Sequence, residues 1–194
     1  MKPVRRDEVL GLADYETIRD RFRARVIEEK RVRRVAVGDK ATALFENHDT
    51  VLLQIQEMLR TERITREAAI LHEMETYNKL VPGTDELCAT VMIEIIDTAV
   101  RDKFLVDARG FERHVALIVD GEKHPATWDP TRELEDRTSA VHYLRFPLGA
   151  KSAAHIREKK KDAHVELAID HPVYGVRTTL TPATLISLAE DLLE

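Results

Sequence analysis

Residues 82–96, PGTDELCATVMIEII, decide the fold of this 194-residue chain. Before Pro82 the apolar residues recur with the period of a helix, and after it they alternate with the period of a strand. The residues that fall on one side of this predicted strand are Leu87, Ala89, Val91, Ile93 and Ile95. The change of period predicts helices first and a sheet afterwards, which is the pattern of an α+β fold.

The helical part contains three amphipathic segments. The first runs from Asp14 to about Arg34, the second begins at Asp49 or Thr50, and the third covers residues 65–80. Only a few residues join the second and third segments, which predicts an antiparallel helical hairpin.

The sheet part is punctuated by turn signals. Asp120-Gly121 predicts a hairpin turn, Pro125 marks the following strand as a sheet edge, and Thr181-Pro182 begins a C-terminal helix whose apolar face includes Leu193. We therefore predict one α+β domain over residues 1–194. Its N-terminal helices pack on a largely antiparallel sheet of five or six strands that the C-terminal helix closes. The alternative is a division into a helical part, 1–82, and a sheet part, 83–194.

Composition limits the classes of protein to consider. The chain has 30 Lys and Arg against 35 Asp and Glu, and a single cysteine, Cys88, which cannot form an internal disulfide. A chain without disulfides fits a reducing compartment, and no apolar run has the length of a membrane span or a secretory signal. We expect a cytoplasmic location and no membrane contact.

Polar residues on apolar faces are the candidates for a catalytic site. Glu75 and Asn78 lie on or beside the apolar stripe of the third helix, and Glu94 and His142 lie within predicted strands. If the four side chains converge where the helical hairpin meets the sheet, they form an acid–base centre, in which Glu75, Glu94 and His142 are candidate metal ligands. The alternative is that each is satisfied by a local hydrogen bond or an ion pair. No nucleotide-binding, zinc-protease or serine-hydrolase motif occurs, so no cofactor is implied by motif.

Charge is distributed unevenly along the chain. Residues 19–34 hold 8 basic and 3 acidic residues. This basic helix and the outer face of the second helix are candidate docking surfaces for a partner protein, and the residues chosen for them are Arg21, Arg25, Arg33, Leu53, Glu57 and Arg60. Nucleic-acid binding is disfavoured because Phe22, which lies among the arginines, belongs to the apolar stripe and offers no stacking platform. The oligomeric state is open, and the first helix allows a homodimer.

Several stretches resemble a bacterial family catalogued as domain of unknown function 3501, which has no established activity. They span most of the chain from about residue 5 onward, and they are Phe45-Glu46-Asn47 with Thr50, 54–60, 75–78, Leu87 with Ala89-Thr90, 93–95 and 141–146. Members of the family are often encoded near rubrerythrin-like and iron–sulfur proteins, so the resemblance implies a partner of this redox class. We expect an uncharacterised accessory or binding protein that supports such partners. The alternative is a metal-dependent or acid–base enzyme that uses the Glu/Asn/His site.

Overall fold

The computed structural model describes residues 1–192, which form six α-helices and eight strands. The helices are α1 (Leu12–Arg33), α2 (His48–Thr61), α3 (Glu67–Asn78), α4 (Thr98–Asp107), α5 (Gly149–Lys159) and α6 (Pro182–Asp191). The strands are β1 (Arg34–Val37), β2 (Ala41–Glu46), β3 (Glu86–Ile93), β4 (Val115–Val119), β5 (Glu122–Pro125), β6 (Val141–Pro147), β7 (Val165–His171) and β8 (Tyr174–Thr179). The predicted α+β class and the C-terminal helix are confirmed.

The strands form two antiparallel sheets of four rather than the single sheet of five or six that we predicted. The first has the order β1-β2-β3-β6 and the second the order β5-β4-β7-β8. Side chains from both sheets meet in one hydrophobic core, which includes Phe45 and Phe146 from the first sheet and Leu117 and Leu167 from the second. Periodicity identifies strands but carries no information on which strands pair, so the division into two sheets was not visible in the sequence.

Strand β1 was missed because α1 passes into it at Arg33–Arg34 without a turn. Its buried residues, Val35 and Val37, alternate with exposed ones. The hydroxyl of Tyr174 in β8 donates a 2.6 Å hydrogen bond to the carbonyl oxygen of Val37, which ties the edge of the second sheet to β1. The two sheets are therefore linked at this edge as well as through the core.

A second apolar cluster lies in the helical layer. It joins α2 and α3 to the N-terminal segment through residues such as Val9, Ile55 and Met74. The side chain of Asn47 caps α2 by accepting a hydrogen bond from the backbone N–H of Thr50. The predicted helical hairpin is thus confirmed, and it has a small core of its own.

Local turn and cap signals were read correctly. Asp120 and Gly121 both have positive φ, as a two-residue hairpin turn between β4 and β5 requires, and β5 with Pro125 is a sheet edge. Thr181 caps α6, and Pro182 is its first residue. Leu193 lies outside the described residues.

The edge of β6 determines where cavities form. β6 is the last strand of the first sheet, and Thr127 pairs with Arg145 in an isolated bridge along its free side. Residues 126–140 thereby fold over this edge. They bring the Pro130–Arg132 turn close to the C-terminal end of α3.

Candidate functional site

The two candidates on α3 do not point into a shared site. The side-chain amide of Asn78 binds the backbone of Val4: its oxygen accepts from the Val4 N–H at 2.8 Å, and its nitrogen donates to the Val4 carbonyl at 3.0 Å. Asn78 therefore holds the N-terminal segment against α3. Glu75 is exposed.

The two candidates on the sheet lie on opposite faces. His142 pairs with Val91 and points toward the core between the sheets, whereas Glu94 follows the end of β3, is exposed and accepts a hydrogen bond from Thr42. The expectation that Glu75, Asn78, Glu94 and His142 converge is wrong, since local bonds or solvent satisfy three of them. Within residues 1–192, no group of three or more His, Cys, Asp or Glu side chains is arranged to hold a metal ion.

The expected docking surface on α2 is covered by α1 of the same chain. Leu53 is buried, and Glu57 accepts hydrogen bonds from Tyr15 at 2.7 Å and from Arg19 at 2.8 Å. Arg60 pairs with Glu16 of α1. The second contact surface that the sequence indicated is real, but its partner is the first helix of the chain itself.

The basic helix is also largely neutralised within the chain. Arg33, expected to be a docking residue, is completely buried and binds Asp191, and Arg25 pairs with Asp49 at 2.5 Å. Arg21 is exposed, and no carboxylate of the described residues lies within ion-pair distance of it. Five of the eight basic residues in 19–34 thus pair with carboxylates of the chain itself, and they are Arg19, Arg25, Arg31, Arg33 and Arg34.

A cleft of about 410 Å³ opens between the C-terminal end of α3 and β6. We call it the aromatic cleft, because its walls include Tyr77, Trp128 and Tyr143, all partly buried. Exposed Lys79 and Arg132 lie at its mouth, and the guanidinium carbon of Arg132 lies 4.9 Å from the centre of the Tyr143 ring. The cleft thus combines flat apolar walls with cations at its entrance.

The base of the aromatic cleft is polar but internally satisfied. The buried carboxylate of Glu46 accepts hydrogen bonds of 2.6 Å from the hydroxyls of Thr50 and Thr90. Burial raises the pKa of the Cys88 thiol well above its ordinary value, so this thiol is protonated and a poor nucleophile. Arg145 is held by Glu86 and by the backbone carbonyl of Lys79, the residue that follows α3. These contacts satisfy the polar side chains at the base of the aromatic cleft within the protein.

A second cavity, of about 420 Å³, lies on the other side of Tyr143. We call it the polar lobe, because it is lined by Glu112, Thr138 and His142 together with Arg132 and Arg137. The Thr138 hydroxyl lies 3.1 Å from His142 Nε2 and 3.2 Å from Glu112 Oε2. Burial lowers the pKa of His142 despite the nearby Glu112 carboxylate, so the imidazole is neutral at pH 7.

Comparison with known proteins places the chain among relatives of the same fold. The model of a family described as protein of unknown function (DUF3501) matches residues 3–192. The chain belongs to the DUF3501 family. It is also similar to a protein of unknown function from Burkholderia pseudomallei K96243, known from a crystal structure at 1.90 Å resolution. The two share 36% identity and a TM-score of 0.90, over 98% of this chain and 100% of that one. No curated protein matches the chain.

Two residues that line the aromatic cleft of this DUF3501 chain are sequence neighbours of candidate site residues. Tyr77 precedes Asn78, and Tyr143 follows His142. The aromatic cleft lies between the helical hairpin and the sheet, and two of its aromatic residues lie beside the polar candidates in the sequence. The chain has one tryptophan and four tyrosines, and the tryptophan and two of the tyrosines line the cleft.

No helix among residues 1–192 is both long and apolar enough to cross a membrane. A cytoplasmic location for this DUF3501 chain stays a prediction.

Proposed function

We propose that the protein binds a small molecule with a planar ring in the aromatic cleft. The observation that carries this proposal is the concentration of Tyr77, Trp128 and Tyr143 around one concave site. Small-molecule sites are clefts of several hundred cubic ångströms, with mainly apolar and aromatic walls and a few polar groups. The aromatic cleft has this size and lining.

The two tyrosines outside the aromatic cleft have a different environment from the two that line it. Tyr15 and Tyr174 are buried, and their hydroxyls bind Glu57 and a backbone carbonyl, so both have structural roles. Tyr77 and Tyr143 instead keep part of their surface open to the cleft. Trp128 is oriented by a 2.6 Å hydrogen bond from its indole N–H to Glu133. A preoriented aromatic wall loses little entropy when a ring stacks on it.

A binding role agrees with the expectation of an accessory or binding protein. Support for rubrerythrin-like or iron–sulfur partners stays a prediction that rests on the family resemblance alone. The alternative acid–base enzyme loses its geometric basis, because it required Glu75, Asn78, Glu94 and His142 to converge.

The test uses Trp128, which is the single tryptophan of the chain. Its fluorescence is followed while adenosine or nicotinamide is added to the full-length protein. Both probes are uncharged and contain a planar ring. We expect a saturable change with at least one probe. Tyr143→Leu removes a wall of the cleft and should weaken binding about tenfold, since stacking on one aromatic side chain contributes roughly 1–3 kcal/mol.

Phe22→Leu is the matched control, because it removes an aromatic ring from α1 that does not line the cleft. It should leave binding unchanged, and circular dichroism establishes that both variants are folded. A fluorescence change that does not saturate with either probe, or equal affinities in Tyr143→Leu and wild type, would contradict the proposed function.

A further inference from the structure

The aromatic cleft and the polar lobe share a wall. Trp128, Arg132 and Tyr143 line both cavities. Residues 126–140 fold over the free edge of β6, and the exposed residue Arg132 lines both cavities. A ligand that enters one cavity is therefore next to the other.

The carboxylates of the polar lobe already have donors. Glu133 accepts hydrogen bonds from the Trp128 indole and from Arg113, and Asp129 accepts from the backbone and the hydroxyl of Thr131. The third carboxylate, Glu112, accepts from Thr138 as described above. All three acids have hydrogen-bond donors within the protein, and Glu133 is also paired with a cation, Arg113.

The two arginines of the polar lobe are not paired with a carboxylate of residues 1–192, although Arg132 lies over the Tyr143 ring. Among the described residues, no Asp or Glu oxygen lies within 4.0 Å of the guanidinium of Arg132 or Arg137, and neither guanidinium donates a hydrogen bond to the protein. A guanidinium presents five N–H donors in a planar fork that suits carboxylate and phosphate groups. His142, which is neutral, adds no charge of its own. Arg132 and Arg137 are thus the two cations of the lobe whose N–H donors are available to an acidic group.

We propose that the two cavities hold one ligand, whose planar ring lies in the aromatic cleft and whose acidic group lies between Arg132 and Arg137. This inference rests on the proposed function, because it takes the ring position from it. It narrows the ligand to a ring joined to a phosphate or a carboxylate.

Matched pairs of probes test whether an acidic group adds affinity. Adenosine is compared with adenosine 5′-monophosphate, and nicotinamide with nicotinate, by Trp128 fluorescence in the same buffer. We expect the acidic member of at least one pair to bind about tenfold more tightly, with an advantage that shrinks as salt is added. The first pair reports a phosphate one sugar away from the ring, and the second reports a carboxylate on the ring itself.

Arg137→Gln separates the acid site from the ring site. Arg137 lines the polar lobe but not the aromatic cleft. The variant should lower the affinity ratio of the acidic probe to its uncharged partner toward one. Arg23→Gln, which removes an exposed arginine of α1, is the matched control and should keep the wild-type ratio.

The outcomes distinguish this inference from the proposed function. If uncharged probes bind in the cleft and the acidic members bind no more tightly, the two-lobed site is wrong and the ring site stands. An unchanged affinity ratio in Arg137→Gln overturns the role of the polar lobe. If no probe of either kind binds, the ring site falls, and the two-lobed site falls with it.

Discussion

The two ends of α1 carry the same kind of ion pair in different surroundings. Near the N-terminal end Arg19 binds Glu57 of α2, and 21% and 29% of the two side-chain surfaces remain exposed. At the C-terminal end Arg33 binds Asp191 of α6, and the exposed fractions are 1% and 4%. Both are arginine–carboxylate pairs that fasten the same helix to the rest of the molecule.

Burial outweighs the effect of the arginine on the pKa of its partner. Hydrogen bonds from Arg19 lower the pKa of Glu57 to about 2. Burial raises the pKa of Asp191 to about 6, although Arg33 opposes the change. The exposed pair therefore favours the charged carboxylate, whereas at the buried pair desolvation outweighs the attraction. Arginines that look equivalent in the sequence thus have different energetic roles.

The largest expected effect comes from removing the buried cation. Arg33→Met should lower the free energy of unfolding by about 3–5 kcal/mol, because it leaves the Asp191 carboxylate without a counter-charge. It also removes hydrogen bonds from the guanidinium to the backbone carbonyls of Phe45 and Glu46. Urea denaturation followed by circular dichroism measures the loss.

Two further variants sharpen this prediction. Arg23→Met on the exposed side of α1 should change stability by no more than about 0.5 kcal/mol. The double variant Arg33→Met/Asp191→Leu should regain part of the loss, since an apolar pair can replace a buried ion pair. A double variant less stable than Arg33→Met alone would show that the buried charge of Asp191 is not the source of the cost.

The next effect is a pH dependence of the buried pair. The pKa of Asp191 is raised from 3.8 to about 6 in the folded protein, so the folded state binds more protons between these values. The contribution of Asp191 to stability therefore falls as pH rises from about 4 to about 6. Relative to Asp191→Asn, wild type should lose on the order of 2 kcal/mol across this range. Urea denaturation of both proteins at each pH measures it, and a constant difference would contradict the raised pKa.

Much of the fold could be predicted because the signals that define its elements are local. The Asp120-Gly121 turn and the Thr181-Pro182 helix start act within a few residues. The pairing of β3 with β6 joins residues that are 49 to 61 positions apart, so no local pattern specifies it. The buried Arg33 is similar, because its partners in β2 and α6 come together only in the folded chain.

The sequence placed a candidate site where the helical hairpin meets the sheet, and the aromatic cleft lies between α3 and β6 with a different set of lining residues. His142 was assigned correctly to the inward face of its strand, but the cleft forms on the other face, where Tyr143 lies. Side chains alternate along a strand, so neighbouring residues serve different cavities. The choice between faces depends on α3 and residues 126–140 covering β6, and these contacts are tertiary.

The smallest expected effect is at the exposed pair, and its pH dependence has the opposite sign. The pKa of Glu57 is lowered from 4.5 to about 2, so its stabilising contribution is present above about pH 4.5 and is lost as pH falls toward 2. Glu57→Gln should lower the free energy of unfolding by only about 1 kcal/mol at pH 7, because solvent screens partly exposed pairs. Denaturation between pH 3 and 7 should show the wild-type advantage over Glu57→Gln shrinking toward acid. An advantage that grows toward acid, as expected for Asp191, would mean that exposure does not distinguish the two ends of α1.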